Sequence, residues 1–168
     1  MRNFSSYWIV AFLLLGLNTS RAQDYNVKIE IRHSVPYCGG AAPSYEDLNQ
    51  SYLVSGNFYL VNLITNQKTL ITSNSKGIIA LDLNIGKYGI LEAFKNVSFH
   101  EFKKNNESNN GDYYQTGNDD CYKKWWKANL IEFEVTDNTK TQELKAATYS
   151  RCFTGNNPCD MYNGPYPP

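Results

Sequence analysis

Apolar and polar residues alternate strictly along residues 27–32 of this chain. Val27, Ile29 and Ile31 fall on one side, and the charged residues between them fall on the other. Because successive side chains of a β-strand point to opposite faces, this pattern predicts a half-buried strand. Pro36, which lacks a backbone N–H donor, is expected to end it.

Further segments of strand-like composition follow at short intervals and are separated by turn residues. Residues 57–63 are apolar on both faces, which predicts a central strand. The other predicted strands cover residues 68–72, 78–83, 88–94, 130–135 and 143–151. Short strands at this spacing, with almost no helical periodicity, predict an all-β fold: an antiparallel β-sandwich of about seven strands.

A few segments depart from the strand pattern. Residues 41–48 are expected to form one helical turn, and residues 121–128 a short helix. Residues 99–102 look like a short alternating run. Residues 105–120 are rich in Asn and Gly, which predicts an exposed loop. The Pro-rich tail at 164–168 cannot extend a ladder of strands.

Residues 1–22 are predicted to form an export signal. Arg2 is followed by an apolar run at 8–17 and by small residues around a cleavage site after Ala22. The apolar run is about ten residues long, whereas a membrane-spanning helix needs about 20. We therefore expect a single β-sandwich domain at 23–168 that is secreted or periplasmic, with no membrane insertion after cleavage. A retained anchor is the alternative.

The charge balance argues against strongly electrostatic partners. Cleavage would remove Arg2 and Arg21, which leaves 14 basic residues against 16 acidic ones and a net charge of about −2. A nearly neutral chain lacks the basic surface of a protein that binds nucleic acid or anionic membranes. We therefore expect no nucleic acid among the partners. The oligomeric state stays open.

All four cysteines, Cys38, Cys121, Cys152 and Cys159, lie in the predicted mature chain. An even number in an exported chain favours disulfides over metal binding, and four cysteines allow three pairings. The short, turn-rich segment between Cys152 and Cys159 favours a local bridge, which leaves Cys38 with Cys121. The two bridges would then contribute about 2.5 and about 4.5 kcal/mol of chain entropy. Since no Cys-x-x-Cys pair is present, we expect no metal.

Residues 72–90 resemble the carboxypeptidase-regulatory-like domains, which are relatives of the transthyretin (prealbumin) fold. The residues that match the family pattern are Thr72, Gly77, Ile79, Leu83, Gly86 and Tyr88. The resemblance implies a transthyretin-like sandwich. Independently of it, Gly77 and Gly86 are placed where the chain must reverse, so we expect both at positive φ. Tyr88 begins a strand that can bury its ring.

A second resemblance covers more of the chain. The segments 36–43, 121–126 and 157–168 are similar to those of a group of small exported proteins of flavobacteria-like bacteria. Those proteins combine a Cys-Gly-Gly start with a Pro-rich end. This resemblance again implies a secreted transthyretin-like sandwich, and it implies no particular chemistry.

The sequence offers no recognisable catalytic motif. It has no Gly-x-Ser-x-Gly elbow, no phosphate-binding loop and no EF-hand spacing among the acids at 112–120. The two histidines, His33 and His100, are each interpreted as surface or edge residues. If they were gathered with Asp119 and Asp120, the alternative would be a small secreted hydrolase or metal-dependent enzyme.

Aromatic residues are the feature that points to a function. Exposed rings stack on sugars and pack into partner interfaces. We expect Tyr113, Tyr114 and Trp126 to be contact residues, and Trp125 to pack against a Cys38–Cys121 bridge. The leading hypothesis is a non-catalytic binding or interaction module, without a cofactor, whose partner is a protein or glycan surface. A structural component of the cell envelope is a further alternative.

Overall fold

The computed structural model describes residues 24–40, 43–48, 50–106, 112–138 and 141–165. The predicted export signal at 1–22 and the last residues of the Pro-rich tail, 166–168, lie outside these ranges. Within them, the model contains no helix with the length and apolar character needed to cross a membrane.

The described part of the chain is built mainly from strands. The strands are β1 (Tyr25–Ser34), β2 (Ser51–Leu53), β3 (Asn57–Asn62), β4 (Lys68–Thr72), β5 (Ile78–Leu83), β6 (Gly86–Glu92), β7 (Tyr114–Gln115), β8 (Ile131–Val135), β9 (Thr141–Tyr149) and β10 (Met161–Tyr162). The helices are α1 (Tyr45–Leu48), α2 (Phe99–Asn106) and α3 (Asp119–Lys127), and a 3₁₀ turn covers Ala93–Asn96.

Eight of these strands form two four-stranded sheets. In the first sheet, β1 is central: β9 pairs with one of its edges, while β5 and β2 share the other. In the second sheet the order is β4-β3-β6-β8, and every pairing is antiparallel. The prediction of an all-β sandwich is confirmed.

The hydrophobic core lies between the inner faces of the two sheets. Val27, Ile29 and Ile31, which the alternating pattern assigned to one face of β1, have no exposed surface. The second sheet contributes Phe58, Leu60, Tyr88, Ile90, Phe133 and Val135. Full burial of each large apolar side chain stabilises the fold by about 1.5–3 kcal/mol before entropy is counted, so this layer is the main source of stability.

One pairing in the first sheet is parallel. β9 runs in the same direction as β1, with Asn26 opposite Thr141 and Ser34 opposite Tyr149. Parallel neighbours need a long crossover connection, and here most of the chain lies between the two strands. Because the two strands are parallel and in this register, their C-terminal ends, Ser34 and Tyr149, lie side by side.

The disulfide pairing predicted from loop length is wrong. The bridges join Cys38 to Cys152 and Cys121 to Cys159, with Cα–Cα distances of 5.3 and 5.8 Å. Cys38 follows the end of β1 and Cys152 follows the end of β9, so the parallel pairing places them together. Loop entropy describes the unfolded chain, and it does not select partners once strand pairing has brought distant residues together.

Most strand boundaries agree with the predictions within two residues. β4 and β5 have the predicted ends, whereas β6 and β9 are each displaced by two residues toward the N-terminus. The very short strands β2, β7 and β10 were not predicted. β7 and β10 pair with each other in a separate two-stranded ladder.

Of the two glycines expected at positive φ, Gly77 has φ 65°, and a Cβ at this position would lie 2.8 Å from the carbonyl oxygen of Ile31. The prediction for Gly86 is wrong. Gly86 is the first residue of β6, and a Cβ there would lie 3.3 Å from the Tyr88 ring. Glycine at position 86 therefore leaves space for the Tyr88 ring, and its backbone conformation is an ordinary one.

The region after β6 is more helical than predicted. Residues 99–102, interpreted as an alternating run, belong to α2, and the expected loop at 105–120 contains the end of α2, the strand β7 and the start of α3. Residues 107–111 lie outside the described residues. Ser98 Oγ accepts a hydrogen bond from the Glu101 backbone N–H at 3.2 Å. Ser-x-x-Glu is the capping-box pattern, which is the sequence signal for this helix.

Candidate functional site

An aromatic cluster fills the space between α2, α3 and the 3₁₀ turn. Its members are Phe94, Phe99, Phe102, Tyr122, Trp125 and Trp126, with ring centroids 4.3–6.3 Å apart. These separations are typical of favourable aromatic pairs. The cluster attaches both helices to the second sheet through the turn that follows β6.

The helical spacing of α3 decides which of its rings are buried. Asn118 caps the helix, since its Oδ1 accepts from the Cys121 N–H at 2.8 Å. Tyr122 and Trp126 are four residues apart and share the inner face, where 7% and 8% of their surfaces are exposed. The Trp126 Nε1–H donates to the carbonyl oxygen of Val97 at 3.0 Å. Trp126 is therefore a core residue, and the prediction that it is an exposed contact residue is wrong.

Trp125 is the tryptophan at the surface of the cluster. Its side chain is half-buried, and its ring centroid lies 5.5 Å from that of Phe102. The Lys95 Nζ lies 5.3 Å from the Trp125 ring, within cation–π range. The expected packing against a Cys38–Cys121 bridge does not occur, because these cysteines pair with other residues. The indole is instead held by an aromatic ring and an ammonium group.

Trp125 lines two neighbouring clefts. The ion-pair cleft has a volume of about 680 Å³, and its lining includes Glu92, Lys95, Trp125, Leu130, Ala147, Thr148, Ser150, Arg151, Asn156 and Pro158. The aromatic cleft has a volume of about 550 Å³ and is lined by Phe94, Phe102, Tyr114, Trp125, Phe153, Thr154, Gly155, Asn156, Asn157 and Asp160. Trp125 and Asn156 contribute to both clefts.

A buried ion pair forms part of the wall of the ion-pair cleft. Lys95 Nζ lies 2.9 Å from Glu92 Oε2, and their side chains are 4% and 10% exposed. Lys95 also donates to the carbonyl oxygen of Ala128 at 3.2 Å. Each charge is therefore compensated, which is required for charged groups at this depth.

The C-terminal segment forms the opposite wall of the aromatic cleft. β7 pairs with β10, which places Tyr114 opposite Tyr162. The Tyr162 ring centroid lies 5.2 Å from that of Tyr114 and 4.3 Å from that of Phe153. Phe153 has φ 68°, an uncommon conformation for a bulky residue. The Cys121–Cys159 bridge ties this segment to α3.

The Asp160 carboxylate connects residues of this wall through hydrogen bonds. Its Oδ1 accepts from the Tyr122 hydroxyl and, at 3.1 Å, from the Gly117 N–H. Its Oδ2 accepts from Asn157 Nδ2 at 2.7 Å. Burial raises the pKa of the Tyr122 phenol, and the hydrogen bond to Asp160 raises it further. Most of the acceptor capacity of this carboxylate is therefore used in holding the wall together.

The two predicted contact tyrosines are exposed. Tyr113 is 54% and Tyr114 is 40% accessible. Tyr114 lines the aromatic cleft, whereas the Tyr113 ring packs at 6.3 Å from Tyr162. Their role as contact residues stays a prediction.

The histidines and acids considered for an enzyme do not form one cluster in the described ranges. No group of three or more His, Cys, Asp or Glu residues there could hold a metal ion. His33 hydrogen-bonds to β9 and to Ser150, while Asp119 forms an ion pair with a lysine of α2 at 2.7 Å. His100 and Asp120 are exposed near the starts of α2 and α3, respectively.

No protein-family model, curated protein or solved structure matches this chain. The site is therefore defined by its own geometry: two clefts that meet at Trp125 and Asn156, one beside an ion pair and the other lined by rings. The two disulfides indicate an oxidising, extracellular-type environment.

Proposed function

We propose that this protein is an exported glycan-binding module and that the aromatic cleft holds the sugar chain. The observation that carries the proposal is the fixed, half-buried indole of Trp125 in a cleft that also contains exposed rings and planar amides. Sequence analysis left open whether the partner is a protein or a glycan, and the composition of this cleft favours the glycan.

A pyranose ring presents apolar C–H faces and a rim of hydroxyl groups. The aromatic rings of the cleft match the faces, because such rings combine a large apolar surface with a defined geometry. Phe94 and Tyr114 are 40% exposed and Phe153 is 36% exposed, so these rings can contact a ligand without rearrangement. The volume of about 550 Å³ lies within the range of known ligand sites, about 300–1,000 Å³.

Polar side chains beside the rings match the sugar hydroxyls. The amide of Asn157 is oriented by two bonds: its Oδ1 accepts from the Cys159 N–H at 2.9 Å, and its Nδ2 donates to Asp160. The amide of Asn156 is oriented by the Ser150 hydroxyl, which lies 3.1 Å from its Oδ1. Groups that are fixed before binding lose little entropy when a ligand arrives, which favours affinity.

The proposal also includes a secreted or periplasmic location for the protein. The signal predicted at 1–22 and the two disulfides support a secreted or periplasmic location, where cell-surface and environmental glycans are accessible. Kinship with transthyretin-like domains stays a prediction that rests on the sequence resemblance at residues 72–90.

The test is isothermal titration calorimetry of the oxidised protein against a panel of soluble oligosaccharides: cello-, xylo-, manno-, laminari- and chito-hexaose. We expect at least one to bind and Trp125→Ala to weaken that binding about 5- to 150-fold. This factor corresponds to about 1–3 kcal/mol, the value of stacking a nucleic-acid base on one aromatic ring. Tyr114→Ala should weaken it by a smaller factor.

Tyr52→Ala is the matched control, because Tyr52 is also exposed, at 52%, but lies on β2 away from both clefts. It should bind as the unmodified protein does. If the folded protein binds no glycan of the panel, or if Trp125→Ala binds equally well, the proposal fails. Capture of an envelope protein that Trp125→Ala abolishes would assign the cleft to a protein partner instead.

A further inference from the structure

We propose that Ser150 and His33 form a nucleophile and general-base pair that hydrolyses short-chain carboxylic esters in the ion-pair cleft. This activity goes beyond glycan binding and does not depend on it. No motif in the sequence indicates the pair, because its members lie 117 positions apart. The parallel pairing of β1 with β9 brings them together.

The hydrogen-bond geometry is that of a Ser–His pair with an orienting group. His33 Nε2 lies 3.0 Å from Ser150 Oγ, and His33 Nδ1 lies 2.7 Å from Thr148 Oγ1. Both distances fall within the range of about 2.6–3.2 Å expected between a nucleophile, its base and the group that orients the base.

In the proposed pair, the neutral His33 ring carries its proton on Nδ1, beside Thr148. The Thr148 hydroxyl can donate its one proton to the carbonyl oxygen of Arg32, 3.4 Å away, and in that arrangement it accepts from His33 Nδ1–H at 2.7 Å. In this tautomer the Nε2 lone pair faces Ser150. The one proton of the Ser150 hydroxyl has two acceptors within reach, His33 Nε2 at 3.0 Å and Asn156 Oδ1 at 3.1 Å, and the proposed reaction uses the rotamer that donates to His33. This is the tautomer that a Ser–His hydrolase needs, with a threonine hydroxyl in place of the usual carboxylate.

Ser150 is also accessible to a substrate. It follows β9 directly, is half-buried and lines the ion-pair cleft. Its backbone N–H donates to the carbonyl oxygen of Ser34 at 3.0 Å, which fixes the position of the residue. Arg151 lines the same cleft and provides positive charge for the oxyanion that develops on the ester, whereas the charge of Lys95 is already compensated by Glu92.

The reaction balances with water as the only co-substrate. Ser150 Oγ attacks the ester carbon while its proton passes to His33 Nε2, and the alcohol leaves with that proton as the C–O bond breaks. Water then attacks the acyl carbon and gives a proton to His33. The carboxylic acid leaves, and the Ser150 hydroxyl recovers its proton. A neutral threonine stabilises the imidazolium less than a carboxylate would, so we expect slow turnover.

The lining of the cleft indicates the substrate class. Leu130, Ala147 and Pro158 are small or medium-sized apolar residues that line the same cleft as Ser150. Such a lining suits an acetyl or similarly short acyl group. p-Nitrophenyl acetate is therefore the appropriate probe substrate, and a fluorophosphonate is the appropriate covalent probe for Ser150.

The experiment combines labelling with steady-state kinetics on the oxidised full chain. We expect one fluorophosphonate adduct by intact mass and its assignment to Ser150 by peptide mapping. Ser150→Ala and His33→Gln should lower p-nitrophenyl acetate hydrolysis at least about 100-fold, the lower end of what a general base contributes. Thr148→Val should lower kcat about tenfold with KM unchanged, because Thr148 acts as a positioning residue.

Ser75→Ala serves as the control, since Ser75 is exposed in the turn between β4 and β5 and lines neither cleft; its activity should be unchanged. Folding of every variant is checked by thermal melting, and the adduct on the unmodified protein decides the matter if a variant fails to fold. Absence of an adduct on folded protein, an adduct on another residue, or full activity of Ser150→Ala would each overturn the proposal.

Discussion

Lys95 Nζ lies 2.9 Å from Glu92 Oε2, and both side chains are almost completely buried where the second sheet meets the aromatic cluster. Lys95→Met would leave the Glu92 carboxylate buried without its partner. Breaking such a pair costs about 3–5 kcal/mol. We expect this loss in the free energy of unfolding measured with urea.

The double variant Glu92→Leu and Lys95→Met is the control for this ion pair. Removing both charges avoids an uncompensated buried group, so most of the stability should return. A Lys95→Met variant within 1 kcal/mol of the unmodified protein, on the scale of an exposed ion pair, would contradict the buried role of Lys95.

Burial raises the pKa of Tyr88 above its ordinary value of 10.0. The folded state therefore holds this proton more tightly than the unfolded state does. The contribution of the protonated Tyr88 phenol to the free energy of unfolding is fully present below pH 10. It is lost as the pH rises through the higher pKa that Tyr88 has in the folded state. Stability measured by urea titration between pH 9 and pH 11 should fall with pH, and Tyr88→Phe should make the fall less steep. An identical slope in both proteins would argue against this role.

Gly77→Ala is expected to destabilise the protein by about 1–3 kcal/mol, because residue 77 has φ 65° and a Cβ would lie 2.8 Å from the carbonyl oxygen of Ile31. Gly56→Ala is the matched control, since a Cβ at that position meets nothing within 4 Å. It should change the free energy of unfolding by less than about 0.5 kcal/mol. Equal effects of the two substitutions in chemical denaturation would contradict the argument.

Trp126→Ala should cost about 3–5 kcal/mol of stability, the range for deleting a buried aromatic side chain. Trp126 is 8% exposed, and its ring centroid lies 4.3 Å from that of Phe102, whereas Tyr114 is 40% exposed. Tyr114→Ala should therefore leave the melting temperature nearly unchanged. The opposite order of effects in thermal melting would show that the cleft wall, and not the helix interface, holds the fold together.

Local patterns in the sequence predicted much of the sandwich. The alternation around Val27 and Ile29 assigned the buried face of β1, and the turn signals placed β4 and β5 at their observed ends. The signal for α2, Ser98 with Glu101 three residues later, was present but was outweighed by an apparent alternation over four residues. Phe99 and Phe102 fit a helical spacing as well as they fit a short strand.

The candidate sites depend on contacts that local patterns do not contain. Trp125 and Trp126 are adjacent, and only the orientation of α3 determines which ring is buried. The Ser150–His33 hydrogen bond and the Cys38–Cys152 bridge both depend on the parallel pairing of β1 with β9. Parallel pairing joins residues far apart in sequence, so neither spacing nor loop length could reveal it.

The pairing of β1 with β9 has a consequence for how the protein matures. The backbone groups along one edge of β1, from Asn26 to Ser34, have no strand to pair with until residues 141–149 are available. Contacts this distant in sequence slow folding. A chain exported as proposed would thus remain open while it is threaded through a translocon. Its first sheet would be completed only after most of the chain had been exported, in a compartment where oxidants can form the Cys38–Cys152 disulfide.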